Sequence, residues 1–241
     1  MPIAEKYNVL FIHIPKNAGK TVEIMLGIHG SYKGSPNARS RFNALMKFLL
    51  TKSMNKLALC QLIGVIDKSF ASQHLTLQEI ELNNFIKAET LNSLIKLAIV
   101  RDPFDRAFSL FNHWVKNVDV DCVEEEFYRF LNSIDERRMS EKHSVACHFR
   151  NQIDFLRNTK GEYDSVSICR LENLEKDLLD FCDRHGVEVN VASTLKATVF
   201  ESDSKTKRKA MSSRNGELVF NLFMEDYKHF NYNKVTSNVI A

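Results

Sequence analysis

"FIHIPKNAGKT", residues Phe11–Thr21, joins a short apolar run to a helix-like pattern. A Walker A loop for phosphate reads G-x-x-x-x-G-K-[ST], and aligning its end on Gly19, Lys20 and Thr21 puts Ile14 where the first glycine belongs. Gly19 still lets the backbone approach a ligand closely, and the start of the following helix offers N–H groups to an anion. The loop therefore fits either a phosphate site or a plain turn between a strand and a helix with solvated lysines.

Three β-type runs alternate with helix-like segments along the chain: Asn8–Ile14, Leu94–Val100 and Ser165–Arg170. Such alternation is typical of a parallel sheet with covering helices, and the near-continuous apolar character of the first two runs indicates strands buried on both faces. We therefore predict an α/β fold, a P-loop-like central parallel sheet flanked by helices, as a single domain over residues 1–241. Residues 30–66 become amphipathic and lysine-studded, which predicts a helical insertion lobe on the substrate side.

Apolar periodicity predicts several helices around this sheet. Val22, Met25 and Leu26 recur at helical spacing, so a helix should follow the loop and end near Gly30. A second helix should close on Gly186 after a basic last turn. A final helix is predicted over residues 215–230.

Composition excludes several classes of protein. The sequence is 44% hydrophobic and 26% charged, which is near the globular average. Its 33 basic and 30 acidic residues give a net charge of +3, too small an excess to indicate a nucleic-acid binder, although it suits a small anionic ligand. The five cysteines are widely spaced and contain no C-x-x-C pair, which favours a reducing compartment. With no signal-peptide pattern and no apolar run that could span a membrane, the sequence predicts a cytoplasmic protein.

A second anion site is predicted in "LAIVRDPFDRAFSLFNHW", residues Leu97–Trp114. Arg101 falls at the carboxyl end of a buried strand, and Asp102 and Pro103 are suited to the start of a helix. Arg101 and Ser109 could hold one phosphate together, although Arg101 could instead pair with Asp102 or with another acid at the sheet edge. The helical pattern puts Arg106 with Ser109 on a stripe away from the apolar face. Two anion sites at neighbouring strand ends indicate a donor with separated phosphates, because a triphosphate would occupy one loop.

These two motifs resemble those of the carbohydrate-type sulfotransferases that use 3′-phosphoadenosine 5′-phosphosulfate (PAPS), including the heparan-sulfate 2-O type. "HIPKNAGKT" is similar to their 5′-phosphosulfate loop, and "VRDPFDRAFS" is similar to their 3′-phosphate motif. "CHFRNQIDFL" and "ICRLENLEKDL" lie where relatives have similar segments. Lys20 replaces the small or hydroxyl residue usual at its position. Many animal members carry an N-terminal membrane anchor that this sequence lacks, so the resemblance implies a soluble, bacterial-type member.

The resemblance implies roles for individual residues in transfer of a sulfuryl group from PAPS to a carbohydrate hydroxyl, which leaves 3′,5′-ADP. Lys16 would stabilise the leaving phosphate oxygen, since charge accumulates there during in-line displacement. His74 would be the general base, with a cap or core role as the alternative and Glu79 or Asp154 as a replacement base. Arg101 and Ser109 would hold the 3′-phosphate and reject ATP. The 5′-phosphate would be held by Lys16, Asn17, Ala18, Gly19, Lys20 and Thr21.

Other sequence patterns indicate metal or nucleic-acid binding, but less strongly. His143, Cys147 and His148 lack a convincing fourth ligand for zinc, and sulfuryl transfer needs no metal in the family that the motifs resemble. The basic run Lys205–Lys209 suits a solvated loop, or closure over the donor or an anionic acceptor, better than nucleic acid. A P-loop kinase or NTPase and a nucleotide-binding module without catalysis remain the alternative functions. Residues 30–66 and 118–155 should form the acceptor pocket. No pattern in them indicates one class of acceptor, and none in the sequence indicates an oligomeric state.

Overall fold

The computed structural model describes residues 3–28, 72–82, 87–116, 118–163, 165–197 and 213–234. Four strands form one sheet in the order β1 (Ile3–Ala4), β2 (Val9–Ile12), β3 (Ile95–Val100) and β4 (Val166–Arg170). Strands β2, β3 and β4 run parallel, and β1 is antiparallel to β2. The three predicted strands are therefore confirmed to within two residues at their ends. The sequence missed β1, since two residues are too short to show a strand period.

Helices cover both faces of the sheet and extend from one end of it. Their bounds are α1 Gly19–Met25, α2 Leu77–Leu82, α3 Ala88–Ser93, α4 Pro103–Trp114, α5 Val123–Asn132, α6 Ile134–Arg138, α7 His143–Phe149, α8 Gln152–Leu156, α9 Leu174–His185, α10 Val191–Ala197, α11 Ser213–Leu222 and α12 Met224–Phe230. The predicted mixed α/β architecture is confirmed. The predicted lobe at residues 30–66 and the basic run at 205–209 lie outside the described residues, and the single-domain assignment stays a prediction.

Alternation along the central strands divides the core between the two faces of the sheet. Leu10 and Ile12 of β2 pack in one apolar cluster with residues of α2, α8 and α12. Val9 and Phe11 pack in the opposite cluster with residues of α1 and α9. A third cluster, dominated by phenylalanines, joins α4, α5 and α11. Because β2 and β3 are parallel neighbours, their carboxyl ends lie side by side. The chain segments that leave these ends form the site described below.

Two predicted helices were wrong in extent. Helix α1 ends at Met25, several residues before Gly30, because Gly27 adopts a left-handed φ of 68° that stops the helix. The helix predicted over residues 215–230 is two helices that meet at Phe223. Asp226 in the second one is fully buried and accepts hydrogen bonds from the N–H groups of Gln152 and Ile153, so this short helix is oriented by partners on α8.

In the part of the chain that the structure describes, every helix is too short or too polar to cross a membrane.

Candidate active site

The loop between β2 and α1 has an unusual backbone. Lys16 and Ala18 both adopt left-handed conformations, with φ of 71° and 55°, although neither is glycine. Each such residue costs about 1–2 kcal/mol of strain, and strained residues of this kind cluster at binding and catalytic sites. Ala18 begins α1, and its carbonyl accepts from the N–H of Thr21 at 3.0 Å. Left-handed residues in a turn are components of anion-binding nests of N–H groups.

Position 19 must be glycine because a neighbouring side chain leaves no room for a Cβ atom. A Cβ atom at this position would lie 2.1 Å from Nε2 of His13, so the imidazole occupies the space that any other residue would need. The sequence suggested that this glycine admits a ligand. The structure shows that it admits His13, a buried residue that directly follows β2.

A buried amide joins the two predicted phosphate motifs. Asn17 donates through Nδ2 to the carbonyl of Ile99 at 2.8 Å and to Oε1 of Gln152 at 2.6 Å. The same Oε1 accepts from the N–H of Arg101 at 2.9 Å, and Nε2 of Gln152 donates to the Arg101 carbonyl at 2.8 Å. Because its Nδ2 donates to both partners, Asn17 fixes the loop to the carboxyl end of β3 and to α8.

The structure brings Arg101 to the loop between β2 and α1. Its Nη1 donates to the carbonyl of Lys16 at 3.5 Å. Asp102 caps α4 by accepting from the N–H of Asp105 at 2.9 Å, and Pro103 is the first helical residue, so the predicted helix start is confirmed. Ser109 lies on α4, half-buried. Both residues predicted to hold the 3′-phosphate thus belong to the element that leaves the neighbouring strand.

Arg106 is buried, although the helical pattern puts it on a stripe away from the apolar face. It is only 1% exposed, and its guanidinium donates to three backbone carbonyls: Pro15 at 3.2 Å, Arg150 at 2.9 Å and His148 at 3.2 Å. Burial lowers the pKa of Arg106 to about 10, so it stays charged at neutral pH. The helical period cannot reveal such a role, because the three carbonyls come from distant segments. Arg106 fixes the loop between β2 and α1 against α7.

A cavity of about 550 Å³ opens beside this loop. It is lined by His13, Pro15, Lys16, Ala18, Gly19, Lys20, Glu23, Ile24, Ile28, Gln73, His74, His113 and His148. Lys16 is half-buried, and burial together with the positive charges of Lys116 and Arg101 lowers the pKa of its ammonium. Lys20 is exposed at the cavity edge. The side chains of Asn17, Thr21, Arg101 and Ser109 do not line this cavity in the described part of the chain.

His74 lies in a short 3-10 turn, Ser72–His74, that packs against His13, directly after β2. Its Nδ1 bonds the carbonyl of His13 at 2.9 Å. A carbonyl can only accept, so Nδ1 carries the proton and Nε2 is the acceptor nitrogen of the neutral ring. Burial lowers the pKa of His74 well below 6.5, and the nearby imidazole of His13 adds to the effect. Helix α2 is capped by Thr76 and Glu79 instead, which exchange hydrogen bonds of 2.9 and 3.0 Å.

Sequence reasoning missed a row of four histidines. The ring centroids of His13 and His74 are 4.6 Å apart, those of His74 and His148 are 5.1 Å apart, and those of His148 and His113 are 5.9 Å apart. Nδ1 of His148 bonds the Ser144 carbonyl at 2.9 Å, and burial, with the nearby His113, lowers its pKa to about 4. The four residues come from four separate segments, so no spacing in the sequence points to the row.

The other residues considered for chemistry have structural partners. Glu79 bonds His143 at 3.0 Å and Arg150 at 2.7 Å. Although burial opposes ionisation, these partners and the Thr76 N–H lower the pKa of Glu79 to about 2, which makes it a poor base. Burial raises the pKa of the Cys147 thiol to about 12. Within the described ranges, no three His, Cys, Asp or Glu side chains are grouped as metal ligands would be.

Comparison with known proteins gave one match. A model of the sulfotransferase family matches residues 1–233, nearly the whole chain. The chain is a member of the sulfotransferase family. As a sulfotransferase it is a transferase that moves sulfuryl groups, and the family generally takes them from PAPS. Neither the curated proteins nor the solved structures contained a match to this sulfotransferase.

Proposed function

We propose that this sulfotransferase moves a sulfuryl group from PAPS to a hydroxyl of a carbohydrate, with Lys16 at the leaving group and His74 as general base. One observation carries the proposal: Lys16 and His74 line the same cavity, and His74 is fixed with Nε2 as its acceptor nitrogen. A general base must offer a lone pair to the acceptor proton, and a catalytic cation must lie where charge develops.

The fit of the donor rests on the chemistry of the residues present. The strained loop and its lysines suit the 5′-phosphosulfate, and Arg101 and Ser109 on the neighbouring element suit a second, separate phosphate. Lys16, Ala18, Gly19 and Lys20 line the cavity and contact the donor in this proposal, whereas Asn17 and Thr21 support the loop from below.

The reaction is an in-line displacement at sulfur. The acceptor oxygen forms a bond to sulfur as the bond from sulfur to the 5′-phosphate oxygen breaks. Nε2 of His74 takes the proton of the acceptor hydroxyl. The Lys16 ammonium stabilises the negative charge on the departing oxygen, and an anion in the cavity restores the proton affinity that burial removes. The lowered pKa of His74 keeps its ring neutral and able to accept a proton at neutral pH.

Ligand binding gives the first test. At 100 times its Kd, 3′,5′-ADP should stabilise the native protein by about 2.7 kcal/mol, whereas ATP with Mg²⁺ at the same concentration should not. Thermal unfolding reads this directly. Equal or greater stabilisation by ATP with Mg²⁺ would contradict the donor assignment.

Transfer of labelled sulfate from PAPS gives the second test. Neutral and uronic-acid oligosaccharides, tyrosine peptides and glycolipids serve as acceptors, and at least one oligosaccharide should be labelled. Lys16→Ala and His74→Ala should abolish labelling while leaving the fold intact, which a cooperative thermal transition checks. Lys196→Ala, on the exposed surface of α10, and His185→Gln, on α9, are the matched controls and should label normally. Labelling of peptides alone would overturn the carbohydrate assignment.

A further inference from the structure

Glu23 is a buried carboxylate at the edge of the cavity. It is 3% exposed, and its Oε1 lies 2.8 Å from Nδ1 of His13. Nε2 of Gln73 donates to both carboxylate oxygens, at 3.0 and 2.9 Å. A buried carboxylate is costly unless such donors surround it. Glu23 thus holds two side chains from segments that are far apart in sequence.

Both partners of Glu23 lead to His74. Gln73 directly precedes His74 in the same 3-10 turn. The carbonyl of His13, in turn, accepts from Nδ1 of His74 at 2.9 Å. The turn is therefore fastened by two consecutive side chains, one through Glu23 and one through the backbone of His13. Two attachment points prevent the turn from rotating about either one.

We propose that Glu23 is a positioning residue for the general base, acting through Gln73 and His13 to set the direction in which Nε2 of His74 points. The proposal rests on the function proposed above, in which His74 takes the acceptor proton. His13 lies three residues before Lys16, so the base and the leaving-group lysine are attached to one short stretch of backbone. Glu23 thereby keeps the base in register with the donor loop.

The geometry argues against a direct chemical role for Glu23. Both of its oxygens accept hydrogen bonds from Gln73, and one of them also contacts His13. A carboxylate engaged in this way offers little to an acceptor hydroxyl. Its contribution lies in orientation, and misplacement of a reacting group by about 1 Å can cost a hundredfold in rate.

An exchange of carboxylate and amide provides the test. Gln73→Glu puts two carboxylates at hydrogen-bonding distance, where they repel, and should lower kcat for the oligosaccharide acceptor by about 10- to 100-fold. The double variant Glu23→Gln with Gln73→Glu restores one carboxylate and one amide, and should recover most of kcat. The Kd for 3′,5′-ADP should stay within about twofold of native in the double variant, because the two exchanges together leave the net charge of the cavity lining unchanged. Gln78→Glu, the same change on the exposed face of α2, is the control.

A spectroscopic readout makes the test independent of the acceptor. In ¹⁵N-labelled native protein, His74 should show the pattern of a neutral ring protonated at Nδ1, and Gln73→Glu should convert it to a mixture of tautomers. If Gln73→Glu does not fold, Gln73→Met removes the same hydrogen bonds without adding charge and should give the same result.

The outcomes separate the two proposals. If His74→Ala transfers sulfate normally, the proposed base is wrong and the role of Glu23 falls with it. If His74→Ala is inactive while Gln73→Glu keeps both kcat and the native tautomer, only the positioning role is wrong. A double variant that loses 3′,5′-ADP affinity, or that recovers no kcat, would also overturn it.

Discussion

The amide of Asn17 donates a 2.6 Å hydrogen bond to the side-chain carbonyl of Gln152, across 135 positions of sequence, and both side chains are buried. Since Gln152 also bonds the backbone of Arg101 in both directions, the loop that follows β2 and the motif that follows β3 share one side chain. The two motifs that the proposed donor would contact are thus already joined by hydrogen bonds of Gln152.

Gln152→Leu should therefore weaken donor binding as well as the fold. The change leaves Asn17 and the Arg101 N–H without their buried partner, and each unsatisfied group costs about 1–3 kcal/mol. We expect a lower urea midpoint and a Kd for 3′,5′-ADP raised at least tenfold, measured by calorimetry. Gln78→Leu on exposed α2 should change neither quantity. A destabilised Gln152→Leu protein with native affinity would show that the bridge does not shape the donor site.

Arg106→Lys should be far from conservative. Lysine cannot reach the carbonyls of Pro15, His148 and Arg150 with the planar fork of donors that arginine supplies. Loss of buried, charge-assisted hydrogen bonds should cost about 3–5 kcal/mol in the free energy of unfolding. Urea unfolding measures this, with Arg129→Lys on the exposed face of α5 as the control. A change below about 1 kcal/mol would contradict the role given to Arg106.

Stability should fall as the solution is acidified below neutrality. The native pKa of His148, about 4, lies below its usual 6.5, and that of His74 is lowered in the same direction. Between these values the unfolded chain binds a proton that the native state does not, so each such histidine stabilises the native state above pH 6.5 and loses this contribution as pH falls. The free energy of unfolding changes by at most about 1.4 kcal/mol per pH unit for each such group.

Urea unfolding between pH 7 and 5 checks this slope, because the titration of Glu79, between 4.5 and about 2, lies below that window. His148→Gln should reduce this pH dependence, because it removes the proton uptake of His148 itself and one of the charges that lower the pKa of His74. An unchanged slope would show that His148 is protonated in the native state as easily as in the unfolded chain.

Glu79→Gln should affect stability and leave the chemistry intact. The change weakens the contacts with Arg150 and His143, at 2.7 and 3.0 Å, and these partly exposed pairs should cost about 1–2 kcal/mol together. Transfer of labelled sulfate at saturating PAPS should stay within about twofold of native. A loss of kcat as large as that of His74→Ala would instead make Glu79 a participant in proton transfer.

Local patterns in the sequence predicted much of this molecule. The apolar runs gave the three parallel strands, and Asp102 with Pro103 marked the start of α4. Lys16 and His74, the two catalytic residues that the sequence predicts, line one cavity. These features depend on short-range chemistry, such as capping, strand burial and loop shape, which a single sequence displays.

The features that the sequence did not predict are contacts between residues far apart along the chain. Gln152 meets Asn17 across 135 positions, and Glu23 meets Gln73 across 50. The helical period puts Arg106 away from the apolar face of α4 but does not reveal the backbone segments that bury it. No local pattern can supply such pairings, because they arise only when the strands have been placed side by side.

The contact between Gly19 and His13 has a consequence for the history of this loop. The two positions are a matched pair in size, in which a bulky ring at one requires the smallest residue at the other. We expect them to exchange together among relatives, so that chains with a small residue at position 13 carry alanine, serine or threonine at position 19. The glycine that makes this loop resemble part of an ATP-binding loop would then be explained by its contact with the histidine at position 13.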